Sequence, residues 1–577
     1  MEKNIYIIKT QETFDAIVVG SGITGGWAAK ELTEKGLKTL MVERGRPVEH
    51  RKDYIGEGVK AWEMPFRGQV ENKLGDEEFS VQKKCYAFND ATKHFFMNDK
   101  DYPYSTPKDK PFDWIRGNQL GGKSLLWHRQ SYRWSDLDFN ANAKDGQGVD
   151  WPIRYKDLES WYDYVELHAG ISGSVENIPV LPDSKFLPPF EMNAVEKEMK
   201  KRIEKKFSDR KLIMGRCAHL SVPAPQHTAQ GRIQCQARNE CQKGCSFGAY
   251  FSTQSSTLPA ALATNNLSIA TNSIVHSVIY DEKTNRATGV RVIDAETMET
   301  REYYAKVIFL CASTLGTTQI MLNSVSETFP NGIANSSGVL GHYLMDHLYG
   351  AGASGRVEGF ADDYYSGRRP TGIYMPRFRN VIKKYDKFLR GYAFAGGAER
   401  DSWQSFGARD GLGAEFKNSI KQAGSWTFGL HGSGEMLPSF DNKVSLHPTL
   451  KDKWGMPQLH IECSYSNNDH KMFQDMADTA AEILEAVGVK DVVKKIAAYD
   501  GWNPGLSIHE MGTARMGRDP KISILNGYNQ THDIPNLFVT DGACMTSAAW
   551  QNPSLTYMAI TARAADYAAQ LVKSGKV

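Results

Sequence analysis

The stretch Phe14-Asp15-Ala16-Ile17-Val18-Val19-Gly20-Ser21-Gly22-Ile23-Thr24-Gly25 decides the fold. An apolar run at 14–19 ending at a glycine turn reads as a buried parallel strand. Residues 25–36 then read as a helix ending near Gly36, and 38–43 (KTLMVE) as a second buried strand. Strand, helix, strand is the unit of a Rossmann-like α/β fold, and the turn fits G-x-G-x-x-G. Gly20 permits the tight turn, Gly22 lets the backbone approach a pyrophosphate, and Gly25 lets the helix pack on the strand. The helix N-terminus offers unpaired N–H groups and the positive end of its dipole to phosphates. Glu43 ends the second strand eighteen residues after Gly25, where an acid accepts ribose hydroxyls. These residues suit NAD and FAD alike.

Outward from this unit, residues 267–311 alternate and turn, which predicts a meander of strands ending in a buried one at 306–311. Residues 476–488 carry apolar positions at the helical period. Residues 536–542 (NLFVTDG) predict another buried strand entering a glycine turn, and 553–571 a long helix. The stretch 346–500, rich in aromatic and polar residues, is the expected substrate-facing region.

A chain of 577 residues exceeds one small core and predicts two to four domains, or a large domain with an insertion. A net charge of +2 gives no argument for nucleic acid or an anionic membrane. No apolar run is long enough for a transmembrane helix, and the N-terminus lacks the pattern of a signal peptide. Three of the eight cysteines, Cys235, Cys241 and Cys245, fall within eleven residues as C-x5-C-x3-C. A disulfide framework does not suit a chain this large and cysteine-poor. Zinc usually takes four ligands and a C-x2-C knuckle, with Cys217 or His219 as possible additions; three cysteines suit an iron–sulfur cluster; free thiols are the third reading.

Later segments resemble the glucose–methanol–choline (GMC) oxidoreductases. RGNQLGGKSLLW (116–127) resembles that family's second flavin-contacting segment, HEMGTARMG (509–517) its active-site signature, and VTDGACMTSAAWQNPSLTYMAITAR (539–563) its closing segment. LGHYLMDH (340–347) and EMLPSFDNKVSLHPTLKDKWGMP (435–457) look like its sugar-dehydrogenase branch. The resemblance covers nearly the whole chain and implies FAD, approached by Gly121 and Gly122, with Asp541 and Gly542 at the ribityl or pyrophosphate region and Val275 near the adenine. Leu126 occupies the place of a flavin-bonding histidine found in some relatives, so the resemblance implies non-covalent FAD.

His509 matches the family's catalytic histidine, an imidazole able to take a hydroxyl proton near neutral pH. Asn552 matches the second position, where histidine or asparagine contacts the same hydroxyl. Before Pro553 it also reads as a helix N-cap. The cysteine spacing, followed by Ser246-Phe247-Gly248-Ala249, resembles that of FAD glucose dehydrogenases with a 3Fe–4S cluster, which implies electron transfer to a cytochrome-type acceptor.

The expected architecture is an FAD domain of residues 1–60, 112–150, 215–345 and 500–577, and a substrate domain of 61–111, 151–214 and 346–499 built on an antiparallel sheet. By resemblance the substrate is a sugar or glycoside oxidised at C3, with glucose C1 or gluconate C2 as alternatives. A non-catalytic electron-transfer flavoprotein is the reading from another class. Relatives of this branch lead to the expectation of a small export subunit that carries the folded chain to the periplasm; a cytoplasmic enzyme fits the N-terminus equally well.

Overall fold

A computed structural model describes residues 7–363, 370–400, 412–419, 421 and 424–577. β1 (Ile7–Val19) is flanked by β2 (Thr39–Val42) on one side and by a strand at 300–310 on the other, both parallel to it. Between β1 and β2 runs α1 (Ile23–Glu34), two residues earlier at each end than the spacing predicts. Every side chain of β2 is buried, as a strand covered on both faces requires.

The glycine turn is a set of backbone contacts. Gly20 has φ +94°, and a Cβ there would stand 2.4 Å from the carbonyl oxygen of Cys311. A Cβ on Gly25 would stand 1.9 Å from the Gly20 oxygen, so only glycine lets α1 close onto β1. A Cβ on Gly22 would meet nothing within 4 Å. That position faces open space.

Besides β3 (Ile213–Met214), the middle of the chain adds β4 (Leu267–Ala270), β5 (Ser273–Asp281), β6 (Arg286–Asp294) and β7 (Thr300–Leu310). The predicted meander needs one correction. β4 lies parallel to β2, with Thr39 opposite Leu267, and only β5, β6 and β7 form the antiparallel run. The helix Leu258–Leu262 before β4 reverses the chain, so β4 joins the parallel core as a crossover strand.

A second sheet runs β14-β8-β11-β10-β9-β3, antiparallel throughout. It comprises β8 (His347–Val357), β9 (Ile373–Met375), β10 (Tyr392–Arg400), β11 (Trp426–Glu435) and β14 (Lys490–Ile496), with β3 from far upstream. β12 (Lys443–Lys451) and β13 (Pro457–Glu462) pair separately as a hairpin. On β11, Trp426, Phe428 and Leu430 face a buried cluster with Met472, Phe473 and Met476 of the helix Asn467–Ala486. That helix begins nine residues before the apolar spacing signals it, capped by Ser466, whose hydroxyl accepts from the Asp469 N–H. Each large apolar side chain so buried contributes about 1.5–3 kcal/mol. Alternate residues of β11, Thr427, Gly429, His431 and Ser433, line the opposite, open face of the sheet. β15 (Leu537–Val539) rejoins the first sheet parallel to β7, and the helix Ser554–Lys573 closes the chain.

The glycine contacts separate two substitutions. Gly25→Ala should cost roughly 1–3 kcal/mol or more of stability by overpacking. Gly22→Ala, with φ −64° and open space beside it, should melt like the parent when stripped of ligand, yet bind a dinucleotide more weakly. Thermal melts beside cofactor titrations check both.

Candidate active site

One cavity of about 880 Å³ runs from the β1–α1 turn to the open face of the second sheet. Gly20, Gly22, Glu43, Gly122, Val275, His509, Asp541, Gly542 and Asn552 all line it, bringing together residues more than 500 positions apart. Gly121 does not face it. Its Cβ would strike Gln254 at 1.9 Å, so this glycine, at φ +92°, answers to protein packing and not to the close approach of a ligand. Gly542 lines the cavity, but its missing Cβ makes room for the Glu510 carbonyl, 2.3 Å from where that Cβ would stand.

At the glycine turn, α1 starts without a capping side chain, which leaves its first N–H groups toward the cavity. Glu43 is buried, and burial raises its pKa. Its Oε2 accepts from the N–H and hydroxyl of Ser21, and its Oε1 from the Gly45 N–H at 2.9 Å. These three donors leave room on the carboxylate for a ribose hydroxyl. Ser21 Oγ also accepts from the Gly121 N–H at 2.7 Å, tying the two glycine segments together. Ser21 occupies a variable position of the motif, so sequence spacing gave no reason to single it out. A second helix, Thr314–Asn323, starts at the cavity with Ser313 at φ +71°. Asp541 accepts from the Ala543 N–H at 3.0 Å and from the Thr317 hydroxyl, and burial raises its pKa to about 6. An open cradle at Gly22, an uncapped helix start and a buried acid with accepting capacity fit a dinucleotide. Glu43, Val275, Asp541 and the α1 N-terminus, which line the cavity, would hold it.

At the other end, His509 closes the loop 505–509 and is the first residue of the 509–517 signature segment. Its pKa is held well below the ordinary 6.5, first by burial and then by the neighbouring His347 imidazole and the Lys123 charge. Its Nδ1 is 2.8 Å from Nδ1 of His347. Ile508, just before it, sits at φ +62°, a costly conformation for a β-branched residue. The buried carboxylate of Asp346 accepts from the N–H groups of Gly505 (2.8 Å), Ser507 (3.2 Å) and His509 (3.1 Å), and so holds this strained loop. Lys123 pairs with Glu510 at 3.0 Å on the cavity wall. The segment 340–347 carried only a family resemblance in the sequence; its Asp346 and His347 prove to be the supports of the His509 loop.

Asn552 is not the N-cap that the sequence suggests. The helix starts at Ser554, with Pro553 as the cap residue and no capping side chain. Pro553 already has a helical backbone, which moves the boundary past Asn552 and leaves Asn552 bordering the cavity. Leu126 and His128 both line the same cavity.

Cys235, Cys241 and Cys245 border a second, small cavity together with His219 and Tyr250. His219 and Cys241 also line the large one, and Cys241 Sγ is 3.6 Å from His219 Nε2. The loop winds through left-handed residues at Ala237, Asn239 and Gly244. Arg129 (1% exposed) and Arg232 (0%) lie against this group. Arg129 stacks on Tyr250 and leaves Nε and Nη1 without partners, and Arg232 bonds carbonyls and a hydroxyl. Two buried cations without a carboxylate among the described residues suit anionic sulfur nearby. Among the described residues, however, no three His, Cys, Asp or Glu side chains are gathered around a single ion position.

GMC oxidoreductase family models match residues 14–349 and 438–561. The chain is similar to a 2-methyl-1,2-propanediol dehydrogenase of Mycolicibacterium austroafricanum, 28% identical over 96% of this chain and 94% of the relative. It is also similar to the fructose dehydrogenase large subunit of Gluconobacter japonicus, 25% identical over 97% and 98%. Among solved structures it shares its fold with pyridoxine 4-oxidase from Mesorbium loti, at a TM-score of 0.58 and 17% identity over 96% of this chain and 98% of that one. Matched on both sides of the second sheet's central strands, the chain belongs to the GMC oxidoreductases, FAD-binding enzymes that act on alcohol and sugar donors.

Proposed function

We propose that this protein is an FAD-dependent dehydrogenase that oxidises a secondary hydroxyl of a sugar, with C3 of a glucoside as the leading target. The observation that carries the reading is His509, a buried imidazole on the cavity wall with Nδ1 engaged by His347. Nε2 is left as the nitrogen available to a substrate hydroxyl. His509 takes the hydroxyl proton through that nitrogen, and the Asn552 carboxamide contacts the same oxygen and orients the C–H bond. FAD, held non-covalently, supplies the acceptor for the hydride. The open sheet face brings Tyr349, Thr427, His431 and Ser433 to the cavity, with Trp502 beside Tyr349 at 6.2 Å. Hydroxyl-bearing and aromatic side chains on one wall suit a polyhydroxylated ring. The names of the relatives, a diol dehydrogenase and a fructose dehydrogenase large subunit, agree with alcohol and sugar donors.

Cys235, Cys241 and Cys245 are proposed to hold a 3Fe–4S cluster that gives electrons a one-electron exit to a cytochrome-type acceptor. The shared cavity, its contact with the flavin cavity through His219 and Cys241, and the counter-charges Arg129 and Arg232 support this reading. A small partner subunit that carries the folded chain to the periplasm completes the proposal.

Four measurements test it. In the anaerobic visible spectrum of purified protein, flavin bands should overlie a broad iron–sulfur shoulder and bleach on addition of methyl β-glucoside. Flat absorbance beneath the flavin removes the cluster, and bleaching by free glucose alone makes C1 the target. His509→Ala should slow flavin reduction by roughly 10²–10⁴-fold. Because the His509 pKa lies below 6.5, the parent's kcat/KM should stay level as pH falls through 6.5 and decline only when the imidazole protonates. Co-expression with the small partner should move activity into the periplasmic fraction; activity confined to the cytoplasm in both cases rejects export.

A further inference from the structure

His347, at the start of β8, is 0% exposed, and both of its ring nitrogens have close partners. Nε2 is 3.1 Å from the carbonyl oxygen of Ala549, and Nδ1 is 2.8 Å from Nδ1 of His509. A carbonyl oxygen only accepts, so the proton of His347 is on Nε2. A neutral His347 then presents a lone pair at Nδ1. The 2.8 Å contact needs one proton, and it comes from His509, whose Nδ1–H donates to His347. A neutral His509 with its proton on Nδ1 has an unprotonated Nε2.

We propose that His347 is a positioning residue for the reaction, holding His509 in the one neutral tautomer whose Nε2 can take a proton from a substrate hydroxyl. The inference rests on the reading of His509 as the base.

Two other proton arrangements are disfavoured by the same geometry. With its proton on Nδ1, His347 would leave Nε2 and the Ala549 oxygen as two acceptors facing each other. A charged His347 would donate from Nδ1, force the His509 proton onto Nε2 and block the base. Burial opposes that charge, holding the His347 pKa down at about 4. The groups around His509 are His347, Lys123, Glu510 of the Lys123 pair, and Asp346, which accepts its backbone N–H. None of them is a side-chain carboxylate on the imidazole, so the tautomer is set by His347 and, through it, by a backbone carbonyl. The carbonyl is itself placed by strain, since Ala549 sits at φ +55°. The Ser507 hydroxyl donates to the His347 carbonyl at 2.7 Å, which fastens the His509 loop to the same residue.

The step balances as follows. The substrate O–H bond breaks and an N–H bond forms at His509 Nε2. With FAD bound, the flavin would accept the hydride that the carbon loses as it becomes a carbonyl carbon. The proton remains on His509, because His347, whose lone pair already accepts the Nδ1–H, stays neutral.

The test uses flavin-loaded enzyme and anaerobic flavin reduction by the sugar that bleaches the parent. His347→Leu removes the acceptor and frees His509 to take either tautomer. Its limiting reduction rate should fall about 10- to 100-fold with KM changed less than about threefold. His347→Asn, which keeps an oxygen near the place of Nδ1, should recover most of that rate. Flavin content and melting temperature of both variants are measured alongside. A His347→Leu enzyme with the parent's rate and pH profile overturns the proposal. So does a deficit in His347→Leu that His347→Asn, equally folded and flavin-loaded, does not relieve. If His509→Ala also reduces at the parent's rate, the base assignment itself fails, and that outcome is distinct from the first.

Discussion

The close backbone approach at Gly20, Gly25 and Cys311 is the constraint on which the rest of the molecule depends. At these points the end of β1, the start of α1 and the end of β7 meet with no room for a Cβ. Because they meet there, the cavity opens at the carboxyl ends of parallel strands, where the strand order diverges to β2 on one side and β7 on the other. Helix N-termini at Ile23 and Thr314 converge on the same space. A ligand bound there gains dipole and N–H contacts from both helix starts.

The end of the cavity at His509 is organised differently. It is built from loops, and their backbone groups need partners of their own. Asp346 satisfies three N–H groups of the 505–509 loop, and burial next to Glu510 raises its pKa to about 7. The strain at Ile508 and Ala549 is thereby confined to the residues that aim His509 and receive His347.

The second sheet divides its two faces by chemistry. One face is buried against the helix Asn467–Ala486, with Gly432 and Gly434 admitting Met476 close to the strand. The other presents small and hydroxyl-bearing residues to the cavity. The apolar face anchors the sheet, so its polar face can serve recognition without being needed for the core.

Local sequence determined the parts that depend on local chemistry. Periodicity and glycine spacing specified the first strand–helix–strand unit, the need for glycine at positions 20 and 25, the antiparallel run of β5 to β7 and the final helix. Family resemblance placed His509, Asn552 and Asp541 in one site, and they do line one cavity. Tertiary structure decided what depends on distant partners. It showed that Gly121 answers to Gln254, that β4 belongs to the parallel core, and that Asn552 lies outside the helix it precedes. The partnership of His347 with His509, 162 residues apart, was illegible for the same reason. A tautomer is fixed by what each ring nitrogen touches, and only the folded chain brings Ala549, His347 and His509 into one line of hydrogen bonds.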